Sequence, residues 1–208
     1  MFGIGRNKTG TTSLALALRN LGYRVGDQPG AEELIEDWAI RDFRRVIRYC
    51  RSADAFQDVP FSFDYTYQAV DAAFPGSRFI LTVRDSPEPW YESVIRFHTK
   101  IVGRDRLPTA DDLREFPYRH KGWLWRQQQL IYGADEMTLY DRELYIEHYW
   151  RHNESVRDYF RHRPEDLLVL NLADPSSARA LCEFLDLPYL GQAMPHEKRS
   201  QDEDDEFS

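Results

Sequence analysis

The sequence predicts an α/β domain, a three-layer sandwich with a mostly parallel central sheet flanked by helices, and three observations predict it. Strand-like apolar runs alternate with amphipathic segments along the chain, as repeated strand, helix, strand units require. The run Arg78-Phe79-Ile80-Leu81-Thr82-Val83 is almost continuously apolar or β-branched, which suits a strand buried on both faces. A length of 208 residues, 42% of them hydrophobic and 30% charged, matches one large folded core with a solvated surface, here read as a single domain over 1–200.

The elements follow in order. Phe2-Gly3-Ile4-Gly5 is a short opening strand, Arg6 to Ser13 a polar loop, and Leu14, Leu16, Leu18 and Leu21 mark a helix closed by Gly22. Tyr23-Arg24-Val25 reads as a second strand before a turn at Pro29-Gly30. Leu34, Ile35, Trp38, Phe43, Val46 and Ile47 place one amphipathic helix with an irregularity over about 31–51, and 53–59 reads as a third strand ending at Pro60. After the strand over 78–83, Ser86 caps a helix whose first turn holds Pro87 and Pro89, where missing amides lose no intrahelical acceptor. A Pro-interrupted loop over 103–117, aromatic-rich helix over about 120–160, a strand at Leu167-Leu168-Val169-Leu170 and a helix over 177–185 complete the chain. The helical stretch at about 103–162 is long enough to form a lid or acceptor wall, although aromatics at helical spacing, such as Trp123, Trp125, Tyr132, Tyr140 and Tyr145, are more often core. The acidic run in 201–208 reads as a solvated, flexible tail.

Charge and cysteine content narrow the function. Against 35 Asp and Glu there are only 27 Lys and Arg, a net charge of −8, which disfavours nucleic acid as a partner. Cys50 and Cys182 form no metal-type pair and fit free thiols in a reducing compartment, and no apolar stretch reaches bilayer length, so a cytoplasmic protein without membrane contact is expected. Oligomeric state cannot be read from the sequence.

Two segments carry chemistry. Gly5-Arg6-Asn7-Lys8-Thr9-Gly10-Thr11-Thr12-Ser13 joins the first strand to the first helix, so backbone amides and the helix dipole can hold an anion there. In nucleotide triphosphatases lysine directly follows the last glycine of such a loop, whereas here Lys8 precedes Gly10, which weakens a magnesium-dependent reading. Arg84, just past the buried strand, stands where parallel sheets bind ligands, and a guanidinium fork suits phosphate.

The loop resembles the 5′-phosphosulfate loop of sulfotransferases that use 3′-phosphoadenosine 5′-phosphosulfate (PAPS), in which Lys-Ser/Thr-Gly-Thr-Thr follows the first strand. The resemblance implies a P-loop-like fold, Lys8 on the sulfuryl and bridging oxygen, and Thr9, Gly10, Thr11 and Thr12 on the 5′-phosphate, with Arg6, Asn7 and Ser13 completing the cofactor-binding loop. Ser13 stands where many such enzymes carry tryptophan, and points to a different subgroup. Residues 74–94 are similar to the family's 3′-phosphate motif, which implies that Arg84 and Ser93 clamp that phosphate. One extra residue, placed in the turn, separates the two relative to the usual pattern. The later half looks like a bacterial-type sulfotransferase subfamily, and Pro195-His196-Glu197-Lys198 is similar to its terminal motif, which makes Lys198 a further cofactor contact.

The expected reaction moves a sulfuryl group from PAPS to a hydroxyl or amine of a small-molecule or carbohydrate acceptor, releasing 3′-phosphoadenosine 5′-phosphate (PAP). No metal is expected. An acceptor hydroxyl needs a base. Asp58, beside Pro60 at the end of the third strand, is the first candidate, against a turn or cap role; His98 on the following helix is the second, against simple packing. Two other readings stay open: a P-loop kinase-like phosphotransferase, and a catalytically silent nucleotide-binding protein.

Overall fold

The computed structural model describes residues 1–103 and 105–195. Its centre is a parallel sheet in the order β1 (Phe2–Gly3), β2 (Phe79–Val83), β3 (Leu167–Asn171), with Phe2 opposite Phe79 and Phe79 opposite Leu167. Single parallel bridges extend it beyond β1, from Phe2 to Phe56 and from Ala55 to Val25. The two strands expected over 23–25 and 53–59 are therefore present only as these bridges. The chain runs outward from β1 in both directions, and the switch between them is where α/β sheets open a crevice at their carboxyl ends.

Strand alternation builds the layers. Phe79 and Leu81 face one side of β2 and pack with Phe2, Val46, Tyr67, Val70, Val156 and Phe160. Ile80 faces the other, against Leu14 and Leu18 of α1 (Thr11–Asn20) and Leu181 and Leu185 at α10 (Ser177–Phe184). This is the three-layer α/β sandwich that the alternation of elements predicts, with helices on both faces of a parallel sheet.

Between these elements the chain differs from the expected outline in several places. The single helix over 31–51 is instead α2 (Gln28–Glu32), α3 (Ile35–Ala39) and α4 (Arg44–Tyr49). Arg41 takes a left-handed conformation (φ 57°), which no α-helix accommodates, and separates the last two. Pro29 and Gly30 lie inside α2 because the Asp27 carboxylate caps it, accepting from the Gly30 amide at 2.9 Å. Thr66–Ala73 forms α5, which the sequence reading left without an element. The loop after α6 (Pro87–Val102) contains α7 (Ala110–Glu115), nucleated by the Thr109 and Asp112 capping box. Gly133, at φ 64°, divides the later helical sequence into α8 (Trp123–Tyr132) and α9 (Arg142–Tyr159). Ser86 stands at the start of α6, but its hydroxyl donates to Glu88 at 2.6 Å instead of capping the helix.

A second core joins α6 to α9 through Trp90, Val94, Leu113, Trp123, Trp125, Tyr132, Tyr140, Tyr145 and Tyr149. The aromatic residues weighed as core or pocket are thus buried, Trp123 also forming part of a cavity wall.

Gly5 has a specific steric reason. A Cβ there would lie 2.3 Å from the Thr82 carbonyl oxygen and 2.6 Å from its amide nitrogen, backbone atoms that cannot swing aside. Gly5→Ala should therefore force β1 from β2 and destabilise the protein by about 1–3 kcal/mol, the range typical of overpacking. A thermal unfolding midpoint equal to that of the parent would refute this.

Candidate functional site

The loop between β1 and α1 is fastened through its carbonyls. The Thr9 hydroxyl donates to Arg6 O at 2.6 Å, the Trp90 indole to Asn7 O at 2.9 Å, and Arg84 Nε to Lys8 O at 3.0 Å. Lys8 (φ 65°) and Gly10 (φ 99°) are left-handed, a conformation that turns successive N–H groups into one concavity and so makes an anion cradle. Gly10 precedes α1, whose dipole adds positive potential. A Cβ on Gly10 would come within 3.2 Å of Leu172, so the loop lies close against the segment after β3.

A cavity of about 1050 Å³ opens at this end of the sheet, and Asn7, Lys8, Thr9, Gly10, Thr11, Thr12 and Ser13 form one wall. Lys8 extends its ammonium over the Phe97 ring, 4.0 Å from the centroid. Thr9 contributes backbone only, because its hydroxyl is fixed between Arg6 O and Thr82 Oγ1 and the residue is 1% exposed.

Arg84 and Ser93 line the same cavity as Lys8. Only Arg84 Nε is held, by Lys8 O; among the described residues its terminal amino groups have no carboxylate partner. The neighbouring carboxylates are engaged elsewhere, Asp85 accepting from Asn171 and Glu88 from Ser86. Burial, and the like charge of Arg96, pull the guanidinium pKa down, opposed by Tyr149 and Asp85. An incoming anion would relieve that penalty. Ser86 lies directly before α6, and Ser93, 8% exposed, lines the cavity.

Asp58 also lines the cavity. Its carboxylate accepts from the Thr11 hydroxyl at 2.7 Å and from the Val59 amide at 2.9 Å. Burial pushes its pKa up, and the Thr11 hydrogen bond, the Lys8 charge and the Val59 amide only partly offset this.

Two residues singled out in the sequence stand elsewhere. Arg6, 2% exposed, faces away from the cavity; its guanidinium donates to Ser62 O at 3.1 Å and Asp64 Oδ1 at 2.9 Å, which makes it an anchor of the loop. His98, 1% exposed, is held through Nδ1 by Tyr140 Oη at 2.8 Å and is not part of the cavity wall. Burial and the nearby Lys8 charge pull its pKa down to about 3, so the imidazole is neutral and enclosed. Lys198 and the acidic tail lie outside the described residues.

Sequence reasoning also missed the far wall: Gln28, Glu32, Gln57, Tyr118, Arg119 and Gln127. Glu32 and Arg119 form an ion pair across 87 positions of sequence, a separation at which no local spacing gives a signal.

A family model described as a sulfotransferase domain matches residues 1–202. No curated protein matches the chain closely enough to count as a relative.

Proposed function

Because the chain belongs to the sulfotransferase domain family, whose chemistry is sulfuryl transfer, we propose that its donor is PAPS and that Lys8 and Arg84 grip that donor from two sides. The supporting observation is that these two cations, 76 positions apart, line one cavity and are joined through the Arg84 Nε to Lys8 O hydrogen bond. The wall fits a nucleotide with anionic groups at both its 3′ and 5′ ends: amides at a helix start, Thr12 and Ser13 beside them, and a guanidinium that has no carboxylate partner among the described residues. PAPS supplies the sulfuryl group and leaves as PAP. In this reading residues 9–13 hold the 5′-phosphate, Arg84 and Ser93 hold the 3′-phosphate, and Lys8 neutralises charge on the departing oxygen. Asp58 takes the proton of the acceptor. Positioning and charge stabilisation carry most of such a reaction. Among the described residues no helix is long and apolar enough to cross a membrane. The buried free thiols Cys50 and Cys182 suit the cytoplasm.

One contact favours the phosphotransferase alternative. The Thr11 hydroxyl on the Asp58 carboxylate is the type of pair that holds magnesium in nucleotide triphosphatases. Calorimetry separates the two readings. PAP should bind more tightly than magnesium-ATP, and Arg84→Ala should weaken PAP about 10–100-fold, the value of a charge-assisted hydrogen-bond pair. Tighter binding of magnesium-ATP, or a PAP affinity indifferent to Arg84, would overturn the PAPS reading.

A further inference from the structure

The far wall of the cavity has a chemistry of its own. With the donor at the Lys8 and Arg84 end, a volume of about 1050 Å³ exceeds what one small ligand needs. The remaining space is bounded by Gln28, Glu32, Gln57, Asp58, Tyr118 and Arg119. These polar groups form a directional relay. Gln57 Nε2 donates to Gln28 Oε1 at 3.3 Å, Gln28 Nε2 donates to Glu32 Oε1 at 3.3 Å and to Val59 O at 3.0 Å, and Arg119 Nε donates to Glu32 Oε2. At one end Gln57 Oε1 is buried and has no hydrogen-bond partner among the described residues. Gln57 is 8% exposed and lines the cavity, and no group of the described residues reaches that acceptor. At the other end the Arg119 guanidinium lies over the Tyr118 ring, 4.6 Å from the centroid, and makes a flat ledge.

We propose that this wall is the acceptor subsite and that it takes a neutral polyhydroxylated molecule, sugar-like in chemistry; the inference rests on the PAPS-dependent reading above. Charge bookkeeping decides against a cationic amine. Each carboxylate already faces a cation, Glu32 the Arg119 guanidinium and Asp58 the Lys8 ammonium, so a further positive charge gains no unpaired counter-ion. Satisfaction of buried polar atoms decides against an apolar phenol. An apolar ring has no donor along its face for Gln57 Oε1, which would stay buried without a partner at about 1–3 kcal/mol. A polyol offers both donors and acceptors along the relay and a C–H face to the Tyr118 ledge. In the transfer step, one of its hydroxyl oxygens bonds to sulfur as the bond from sulfur to the bridging oxygen breaks. The hydroxyl proton passes to Asp58 and the electron pair leaves on PAP.

The test compares three probes: a set of methyl glycosides, 2-naphthol and cyclohexylamine. Binding is read by saturation-transfer NMR on PAP-saturated protein, and turnover by labelled sulfate from PAPS. Glycosides should bind and be sulfated with the highest kcat/KM, and Gln57→Leu should raise their KM about 5–10-fold, one neutral hydrogen bond's worth, while the Kd for PAP stays unchanged. That unchanged Kd shows that the variant is folded. Preference for 2-naphthol or cyclohexylamine, absence of glycoside binding to the PAP complex, or a glycoside KM indifferent to Gln57 overturns the acceptor assignment alone. Failure of the parent protein to bind PAP removes the donor reading and the acceptor assignment with it.

Discussion

Asp64→Ala should destabilise the protein by about 3–5 kcal/mol, as expected when one partner of a buried ion pair is removed and the other is left uncompensated. Among the described residues its carboxylate is the single negative group bound to the Arg6 guanidinium, whose side chain is 2% exposed, and it also lies 2.9 Å from His152 Nδ1. His152 in turn reaches Ile4 O at 2.8 Å, so the cluster fastens the end of the first strand to α9 at the point where the anion loop begins. Arg6 Nε already lacks a partner, and without Asp64 the guanidinium would retain only the Ser62 carbonyl. Burial raises the Asp64 pKa, but the Arg6 charge and the His152 hydrogen bond and charge pull it down by more, to well below the usual carboxylate range. A depressed folded pKa contributes stability above the unfolded value, near 3.9, and loses it as pH falls below that point. The parent midpoint should therefore drop steeply below about pH 4, and Asp64→Asn, which keeps size but not charge, should flatten that drop. Thermal unfolding from pH 3 to pH 7 measures both, and the parent titration with the Asn variant decides the matter even where Ala prevents folding. Equal midpoints and equal acid slopes would sink the assignment.

The sequence disclosed those parts of the site that local pattern controls. β2 is legible as an apolar run, Arg84 as the cation at its end, and Lys8 to Ser13 as a strand-to-helix anion turn, because each depends on neighbours within a few positions. Tertiary partners decided the rest. Arg6 reads as one more cation in an anion loop, yet its counter-ion lies 58 positions away and turns it inward. His98 fails for a reason that helix geometry contains. Ser93 and Phe97, four apart, share the face of α6 turned to the cavity, whereas His98, five positions after Ser93, points about 140° away from it and enters the aromatic core beside Tyr140. The strands over 23–25 and 53–59 have the right composition, but at the margin of the sheet the first forms one bridge and the second two, so composition overstated their length. The Glu32 and Arg119 wall arises from elements 87 residues apart and leaves no mark on any short stretch.

Asp58→Asn should lower kcat for sulfuryl transfer by about 10²–10⁴-fold, the contribution of a positioned general base, while leaving the protein at least as stable. The substitution suits the backbone, because Asp58 is held at φ 59° and asparagine tolerates the left-handed region better than alanine or glutamine does. Activity requires the ionised carboxylate. Since burial raises its pKa against the pull of Thr11, Lys8 and the Val59 amide, kcat should fall with acidification at a pH above the ordinary carboxylate range, and the Asn variant should lack that limb. Stability runs in the opposite sense. A carboxyl whose folded pKa lies above its unfolded one penalises the folded state once pH exceeds the unfolded value, so a neutral isostere removes the penalty at pH 7. A residue that only capped the turn would show the reverse pair of results, a lower unfolding midpoint with transfer preserved. Measuring kcat against pH together with the midpoint at pH 7 thus separates a catalytic Asp58 from a structural one by the sign of two independent changes.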